Sequence, residues 1–230
     1  MTMKPTGLII DGKTQPCDLP VYNWHDHGKE IVVGKGARRP KPKQVIDLAV
    51  WHWTGGEGSL DGLHHTLETR GYGVEFYICD GTIYQLADPV LTDAFGAGAY
   101  NPRAISTEVQ NYGFRREGSP IPRNPRGKRP MLDAVQGGRR RQFAAFYEDD
   151  LAACSALAKA LSAAIPTIPA TTPVGPNGAP YPNFITPKQM ERVSGHVGHY
   201  QLSKMKSDPG PQLLQRLLDD KVVTGALVTP

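Results

Sequence analysis

The chain has 230 residues, a formal net charge of +4 and 39% hydrophobic residues. This length can bury a substantial core, and the hydrophobic content excludes a chain that is disordered throughout. The 25 glycines and 21 prolines exceed ordinary usage and predict a loop-rich fold. Three cysteines without a spacing motif argue against a disulfide framework and favour folding in a reducing compartment.

The hydrophobic pattern indicates neither export nor a membrane span. Near the N-terminus the apolar run comprises only Leu8, Ile9 and Ile10, which is too short for the core of a secretory signal. No stretch reaches the roughly 20 apolar residues of a transmembrane helix. We therefore expect synthesis in the cytoplasm without a signal peptide, and we expect a monomer.

The first predicted strand follows a segment with little pattern. Residues 1–44 are expected to form an N-terminal arm or extension, and the sequence leaves open whether they pack on the domain. Val45–Trp53 is β-rich and nearly all apolar, which is typical of a strand buried on both faces. Its end is marked by Thr54-Gly55-Gly56.

Helix and hairpin signals follow this strand. Ser59–Thr69 predicts a helix, with Ser59 as its N-cap and leucines on one face. Two strand patterns, 74–79 and 82–86, flank Asp80-Gly81, a pair suited to a type I′ turn. Ala104–Gln110 then alternates as a further strand.

The second half of the chain predicts more loop and three helices. These elements are a basic, Pro/Gly-rich insertion over about 113–141, a helix over Phe143–Ile165, a loop over 165–183, short helices near 186–193 and 212–218, and a C-terminal tail over 222–230. Because strands alternate with helices, we expect one α/β domain over residues 45–221.

Positive charge is concentrated in the insertion. Between Arg115 and Arg141 nine Lys/Arg residues stand against Glu117 and Asp133, a local excess of +7. Nucleic acid, an anionic membrane face or an anionic polymer could bind such a segment, and an anionic envelope surface is a candidate partner of Arg115–Arg141. The alternative is a solvated insertion whose charge only confers solubility. The run 139–141 is expected at the start of a helix, where positive charge is electrostatically unusual.

Several polar residues could form a metal site. His52 lies near the end of the buried strand, where it is either a hydrogen-bonded histidine at a sheet edge or a ligand presented to a cleft. His199 and Asp208 flank a loop, and Pro209-Gly210 restrains the backbone after the carboxylate. Two imidazoles and one carboxylate suit a catalytic zinc ion. His196 competes with His199 for the ligand position.

Four motifs, in order over about 46–211, resemble those of the type 2 N-acetylmuramoyl-L-alanine amidases, which are relatives of phage amidase lysozymes and peptidoglycan recognition proteins. They are AVWHWTG at 49–55, FYICDGTIYQL at 76–86, NPRAISTE at 101–108, and GHYQLS at 198–203 running on to KSDPGP at 206–211. The resemblance implies a single domain with a mixed central β-sheet flanked by helices. It also implies peptidoglycan as the partner. No nucleic-acid partner is expected, since no recognised nucleic-acid motif accompanies the basic segment.

The resemblance also implies roles for individual residues. His52, His199 and Asp208 would bind Zn²⁺. Glu108 would be the catalytic carboxylate, and Lys206 would lie near the scissile carbonyl. The implied substrate-binding residues are Trp53, Thr54 and Asn101. The reaction would be hydrolysis of the amide bond between N-acetylmuramic acid and L-alanine.

The chain departs from the family pattern at four places, one of which is the insertion after Glu108, which is longer and more basic than the family core. Gly96 stands where relatives often have a histidine, which predicts altered substrate contacts with the metal retained. The loop from His199 to Lys206 and the hairpin at Asp80-Gly81 are each one residue short. The basic insertion favours a phage-type lytic endolysin acting on the bacterial cell wall. The alternatives are a cytoplasmic wall-recycling amidase and a peptidoglycan-binding module without catalysis.

Overall fold

The computed structural model describes residues 4–41, 44–115, 126–127 and 129–228. The strands are β1 (Leu8–Ile10), β2 (Lys13–Gln15), β3 (Val21–Tyr22), β4 (Ala37–Arg38), β5 (Leu48–Trp53), β6 (Phe76–Cys79), β7 (Thr82–Gln85), β8 (Asp93–Ala94), β9 (Ala104–Val109), β10 (Phe114–Arg115), β11 (Met131–Gln136), β12 (Arg139–Ala144), β13 (Thr171–Val174), β14 (Gly195–Gly198) and β15 (Thr224–Leu227). The helices are α1 (Trp24–His27), α2 (Leu60–Arg70), α3 (Glu148–Ala164), α4 (Pro187–Met190), α5 (His199–Leu202) and α6 (Pro211–Asp219), and a 3₁₀ helix spans Gly98–Arg103.

A mixed six-stranded sheet forms the centre of the fold. Its strand order is β14-β5-β9-β6-β7-β3. The first four strands run parallel, β7 is antiparallel to β6, and β3 runs parallel to β7. The predicted mixed α/β fold is confirmed. Within the described ranges, no helix is both long and apolar enough to cross a membrane.

Apolar side chains cover both faces of this sheet. On one face, α3 and α6 pack over Trp51 and Ile105, and the leucines of both helices belong to the same buried cluster. On the other face, α2 packs over Tyr77 and Cys79. Burying a leucine-sized side chain contributes about 1.5–3 kcal/mol, so these two layers fix the sheet between helices as predicted.

The helix and the hairpin that the sequence predicts before residue 110 are both present. Ser59 caps α2 by accepting a hydrogen bond from the backbone N–H of Gly62 at 3.2 Å. Asp80 and Gly81 both have positive φ, 52° and 68°, as a type I′ turn requires. The predicted hairpin therefore joins β6 and β7 with the expected turn.

The basic insertion is not only a loop. Residues 116–125 and 128 lie outside the described part, but 131–144 form the hairpin β11–β12, which pairs with β10 in a three-stranded antiparallel sheet. The predicted helix start at Phe143 is wrong, since Phe143 pairs with Phe114 in β12 and α3 begins at Glu148. For the same reason the run 139–141 lies in a strand and not at a helix start.

The two terminal segments also pack on the domain. Of the alternatives left open for the N-terminal segment, the described residues 4–41 form a packed extension, because Leu8 and Ile10 are buried in the main core and β3 extends the central sheet. The expected loop over 165–183 contains β13, which pairs in parallel with β15 of the expected tail.

Candidate functional site

The candidate site lies at the carboxyl edge of three neighbouring parallel strands, where clefts of α/β sheets occur. His52 is the penultimate residue of β5, and its register partner on β9 is Glu108. His199 directly follows β14, which pairs on the other side of β5. The sheet therefore brings both histidines and Glu108 to one edge of the fold.

Asp208 completes a compact group of metal-ligand side chains. Its Oδ2 accepts hydrogen bonds from Nδ1 of His52 at 3.1 Å and from Nδ1 of His199 at 2.9 Å. The two imidazole rings meet edge to face, with centroids 4.5 Å apart. Donor atoms of the three residues lie within 4.8 Å of one another. A single small cation could contact all three.

Burial and mutual charge perturb the acid–base groups at this edge. Burial lowers the pKa of His52 and the Asp208 hydrogen bond opposes that shift. Although burial alone raises the pKa of Asp208, hydrogen bonds from His199 and His52 hold it well below its usual value. Burial, aided by the Asp208 carboxylate and opposed by Lys206, raises the pKa of Glu108 to about 8.

The loop that carries Asp208 is fixed by backbone hydrogen bonds. The backbone N–H of Tyr200 donates to the Asp208 carbonyl at 2.9 Å, and the N–H of Gly210 donates to Ser207 at 3.0 Å. At Gly198 a Cβ atom would come within 2.6 Å of the Tyr200 ring, so glycine permits the close turn into α5. The shorter loop noted in the sequence still brings Asp208 to both histidines.

The competing histidine, His196, points elsewhere. Its Nδ1 accepts a hydrogen bond from the indole N–H of Trp51 at 3.3 Å, and its Nε2 lies 3.0 Å from the Ser162 hydroxyl. It is fully buried on the face covered by α3. The structure therefore brings His199, and not His196, to the group with His52 and Asp208.

The three expected substrate-binding residues lie in different places. Trp53 ends β5 and packs its ring against Phe143, with centroids 5.4 Å apart. The Thr54 hydroxyl donates to the Gly56 carbonyl at 2.5 Å, which shapes the loop after β5. Asn101 lies in the 3₁₀ helix before β9 and accepts a hydrogen bond from the N–H of Ala97. It is therefore at the opposite end of β9 from Glu108.

Gly96 occupies the position where relatives often have histidine, and it has no room for a side chain. A Cβ atom there would lie 2.6 Å from the Ser106 hydroxyl and 3.0 Å from the Gly73 carbonyl. Such contacts are shorter than atoms tolerate without displacing their neighbours. Close packing against Ser106 of β9 and against the Gly73 backbone therefore favours glycine at this position.

Lys206 is exposed at the rim of the group, and the basic hairpin lies beside it. Sequence reasoning missed this neighbour: Gln136 at the end of β11 donates from Nε2 to the Ser207 carbonyl at 3.1 Å. Three arginines of the insertion are engaged in ion pairs, Arg126 with Asp150, Arg129 with Glu57 and Arg140 with Asp133. The insertion is therefore not a uniform basic surface.

Comparison with known sequences identifies the family. Residues 40–211 match the profile of the N-acetylmuramoyl-L-alanine amidases, a span that covers well over half of the 230 residues. The chain belongs to the N-acetylmuramoyl-L-alanine amidase family. All four groups of site residues, His52, Glu108, His199 and the loop to Asp208, lie within the matched span. No curated protein sequence is similar enough to match this chain.

Two solved amidase structures show the same fold. The amidase AmiD from E. coli, in complex with anhydro-N-acetylmuramic acid-L-Ala-D-gamma-Glu-L-Lys, is 20% identical over 82% of this chain and 62% of its own, with a TM-score of 0.50. AMPDH3 from Pseudomonas aeruginosa, in complex with an anhydromuramic pentapeptide, is 19% identical over 84% and 66%, also with a TM-score of 0.50. The endolysin amidase LysCS from Clostridium intestinale URNW is 14% identical over 85% and 95%, with a TM-score of 0.48.

The donor group fits a zinc ion on its own chemistry. Two imidazoles and a carboxylate are ligands that zinc accepts, and such three-ligand sets leave a position for water or substrate. Nε2 of His52 is buried and has no hydrogen-bond partner among the described residues. A buried polar atom without a partner is costly, and the ring therefore has spare ligand capacity beside Asp208.

Proposed function

We propose that this protein is a zinc-dependent amidase that hydrolyses the bond between the lactyl carbonyl of N-acetylmuramic acid and the nitrogen of L-alanine in peptidoglycan. The observation that carries the proposal is the register pairing of His52 with Glu108 beside a compact group of His52, His199 and Asp208. Membership of the amidase family supports the same reaction. A ligand group and a carboxylate on adjacent strands are what such a hydrolysis needs.

The metal would be held by His52, His199 and Asp208. When bound, zinc would supply Lewis-acid polarisation of the amide carbonyl and lower the pKa of a water molecule. The protein contributes the geometry: His52 lies in β5, His199 directly follows β14, and Asp208 is held by hydrogen bonds of its loop.

Glu108 is proposed to move the protons of the reaction. Its Oε2 is buried without a hydrogen-bond partner in the described structure, so this oxygen is not committed to another hydrogen bond. With zinc bound, Glu108 would lie beside a positive charge that lowers its pKa from about 8. Its ionised carboxylate would then accept a proton from the attacking water and donate it to the leaving nitrogen. Lys206 would stabilise the negative charge that develops on the carbonyl oxygen. Trp53 and Thr54, which follow His52 in the chain, are proposed to contact substrate.

We further propose that the protein acts on the bacterial cell wall as a lytic endolysin. The basic insertion beside the site is the feature that supports contact with an anionic envelope, although three of its arginines, Arg126, Arg129 and Arg140, are engaged in ion pairs. A recycling amidase is the second candidate, because two structures of this fold hold anhydromuramic peptides. Comparing cleavage of intact sacculi with cleavage of 1,6-anhydro fragments separates these roles.

The reaction is tested by digesting purified peptidoglycan and analysing the products by mass spectrometry. Release of stem peptides with an unblocked L-alanine amine, together with peptide-free glycan, supports the proposed bond. Release of muropeptides cut in the glycan or in the peptide indicates a different hydrolase. If the wall is bound but intact, and Glu108→Ala binds it equally well, the protein is a binding module.

A further inference from the structure

We propose that the pocket between the β11–β12 hairpin and the loop before Asp208 is an anion subsite, and that it binds a carboxylate of the substrate's peptide stem. The inference rests on the proposed function, because it assigns a second part of the same substrate to a place beside the same site. It assigns binding roles to residues of the basic hairpin.

The pocket has a volume of about 520 Å³ and lies beside the metal-ligand group. Four of its lining side chains are cationic and none is acidic: Arg139, Arg141, Lys204 and Lys206. Tyr200, which directly follows His199, also lines it. Four like charges around one concavity create a positive potential that favours an anion inside it.

The three arginines of β12 alternate between the two faces of the strand. Arg139 and Arg141 line the pocket, whereas Arg140 between them pairs with Asp133 at 2.6 Å outside it. In the described part of the chain, Arg139, Lys204 and Lys206 form no ion pair with a carboxylate. Alternation along the strand thus sends two of three consecutive positive charges toward one pocket.

The walls of the pocket are held in place relative to the site. Beyond the hydrogen bond from Gln136 to the Ser207 carbonyl, the N–H of Gly137 donates to the Pro182 carbonyl at 3.0 Å. The ammonium of Lys204 lies 5.4 Å from the centre of the Phe184 ring, within cation–π range. A preorganised cationic wall loses little entropy when it binds an anion.

The chemistry of the substrate identifies the anion. In muramic acid the lactyl carboxyl group is consumed in the scissile amide, so the carboxylates of the substrate lie on its peptide stem. With that amide at His52 and Glu108, a stem that extends from the leaving nitrogen past the loop carrying Lys206 would bring its carboxylates to this pocket. A guanidinium matches a carboxylate with two parallel hydrogen bonds, and Arg139 could make that contact.

The test compares two soluble muramoyl tripeptides, one with free stem carboxylates and one with those carboxylates amidated. The variant is Arg139→Gln with Lys204→Gln, and the matched control is Arg140→Gln on the same strand. Wild type should prefer the free carboxylates by about tenfold or more in kcat/KM, through KM, as charge-assisted hydrogen bonds allow. The double variant should lose this preference, and the control should keep it.

An equal loss on both substrates, or a preference retained in the double variant, would overturn the subsite. If wild type cleaves neither tripeptide, the proposed reaction fails for them, and the subsite is tested separately by calorimetric titration with the same two compounds. Tighter binding of the free carboxylates that disappears in the double variant supports the subsite. Equal binding of both compounds to wild type overturns it.

Discussion

His52 and Glu108 are register partners on the adjacent parallel strands β5 and β9, so both side chains leave one face of the sheet at its carboxyl edge. A ligand candidate and a proton carrier are thereby fixed by backbone pairing and not by a mobile loop. Sites held on strands are positioned more tightly than sites on loops. A conservative substitution of Glu108 therefore tests its proposed role in proton transfer.

Glu108→Gln should reduce kcat on peptidoglycan by about 10²- to 10⁴-fold, because an amide cannot accept or donate the proton of the reaction. The amide nearly matches the carboxylate in size, so the fold and the zinc content should be unchanged. Steady-state kinetics and metal analysis measure the two effects. Glu68→Gln, on helix α2 away from the site, is the control and should keep full activity. Activity within tenfold of wild type would remove Glu108 from the mechanism.

The two histidines His196 and His199 should differ in metal binding. His199→Gln removes one of three proposed ligands and should abolish stoichiometric zinc, since three protein donors hold a catalytic zinc ion. His196→Gln should retain one zinc ion per chain, because that ring contacts Trp51 and Ser162 instead. Equilibrium dialysis followed by metal analysis makes the comparison. Equal zinc content in both variants would contradict the proposed ligand set.

His196 should also make the stability depend on pH. Because the Trp51 indole can only donate, Nδ1 of His196 must accept, and burial lowers the pKa of His196 to about 4 from 6.5. Between pH 4 and pH 6.5 the unfolded chain binds more protons than the folded chain. The contribution of His196 to the free energy of unfolding is therefore present above pH 6.5 and is lost as the pH falls toward 4. Its size is roughly 3 kcal/mol.

Urea unfolding at a series of pH values checks this dependence. The free energy of unfolding should fall less steeply from pH 6.5 to 4 in His196→Gln than in wild type, since the other titrating groups are common to both. His25→Gln, at an exposed position, should follow wild type. Parallel pH profiles for wild type and His196→Gln would refute the expectation.

A buried ion pair next to the β11–β12 hairpin should make the free energy of unfolding depend strongly on Arg129. Arg129 pairs with Glu57 at 2.5 Å, and both side chains are nearly inaccessible. The guanidinium also lies 3.9 Å from the centre of the Tyr147 ring. Arg129→Ala leaves the Glu57 carboxylate without this partner and should cost about 3–5 kcal/mol of unfolding free energy.

Thermal and urea unfolding measure this cost. Replacing both partners, as Arg129→Met with Glu57→Gln, should restore much of the loss because no unpaired charge remains. Arg140→Ala breaks an exposed pair with Asp133 and should leave the unfolding midpoint unchanged. A double variant no more stable than Arg129→Ala alone would show that packing, and not charge pairing, dominates.

Local sequence signals predicted the elements that position half of the site. The apolar run ending at Trp53 gave β5, and Asp80-Gly81 gave the β6–β7 turn, because each has a conformational cause within a few residues. The pairing of His52 with Glu108 depends on strand register between distant segments. Residue spacing alone does not fix that register.

The basic hairpin was missed for a physical reason. Charged and apolar residues mix along 131–144, and the apolar group after Gln142 suits the end of a strand as well as the start of a helix. The usable signal was Gly137-Gly138, whose positive φ values of 60° and 72° form the two-residue turn. Strand β3, only two residues long, is too short for any periodicity.

The most direct test of the account is a zinc titration of the chelated protein during peptidoglycan digestion. Chelation should stop the release of stem peptides with a free L-alanine amine, and added zinc should restore it in wild type, reaching a plateau at one zinc ion per chain. His199→Gln should not recover at that stoichiometry. Release of the same peptides by fully chelated protein, or full recovery in His199→Gln, would contradict a zinc amidase built on His52, His199 and Asp208.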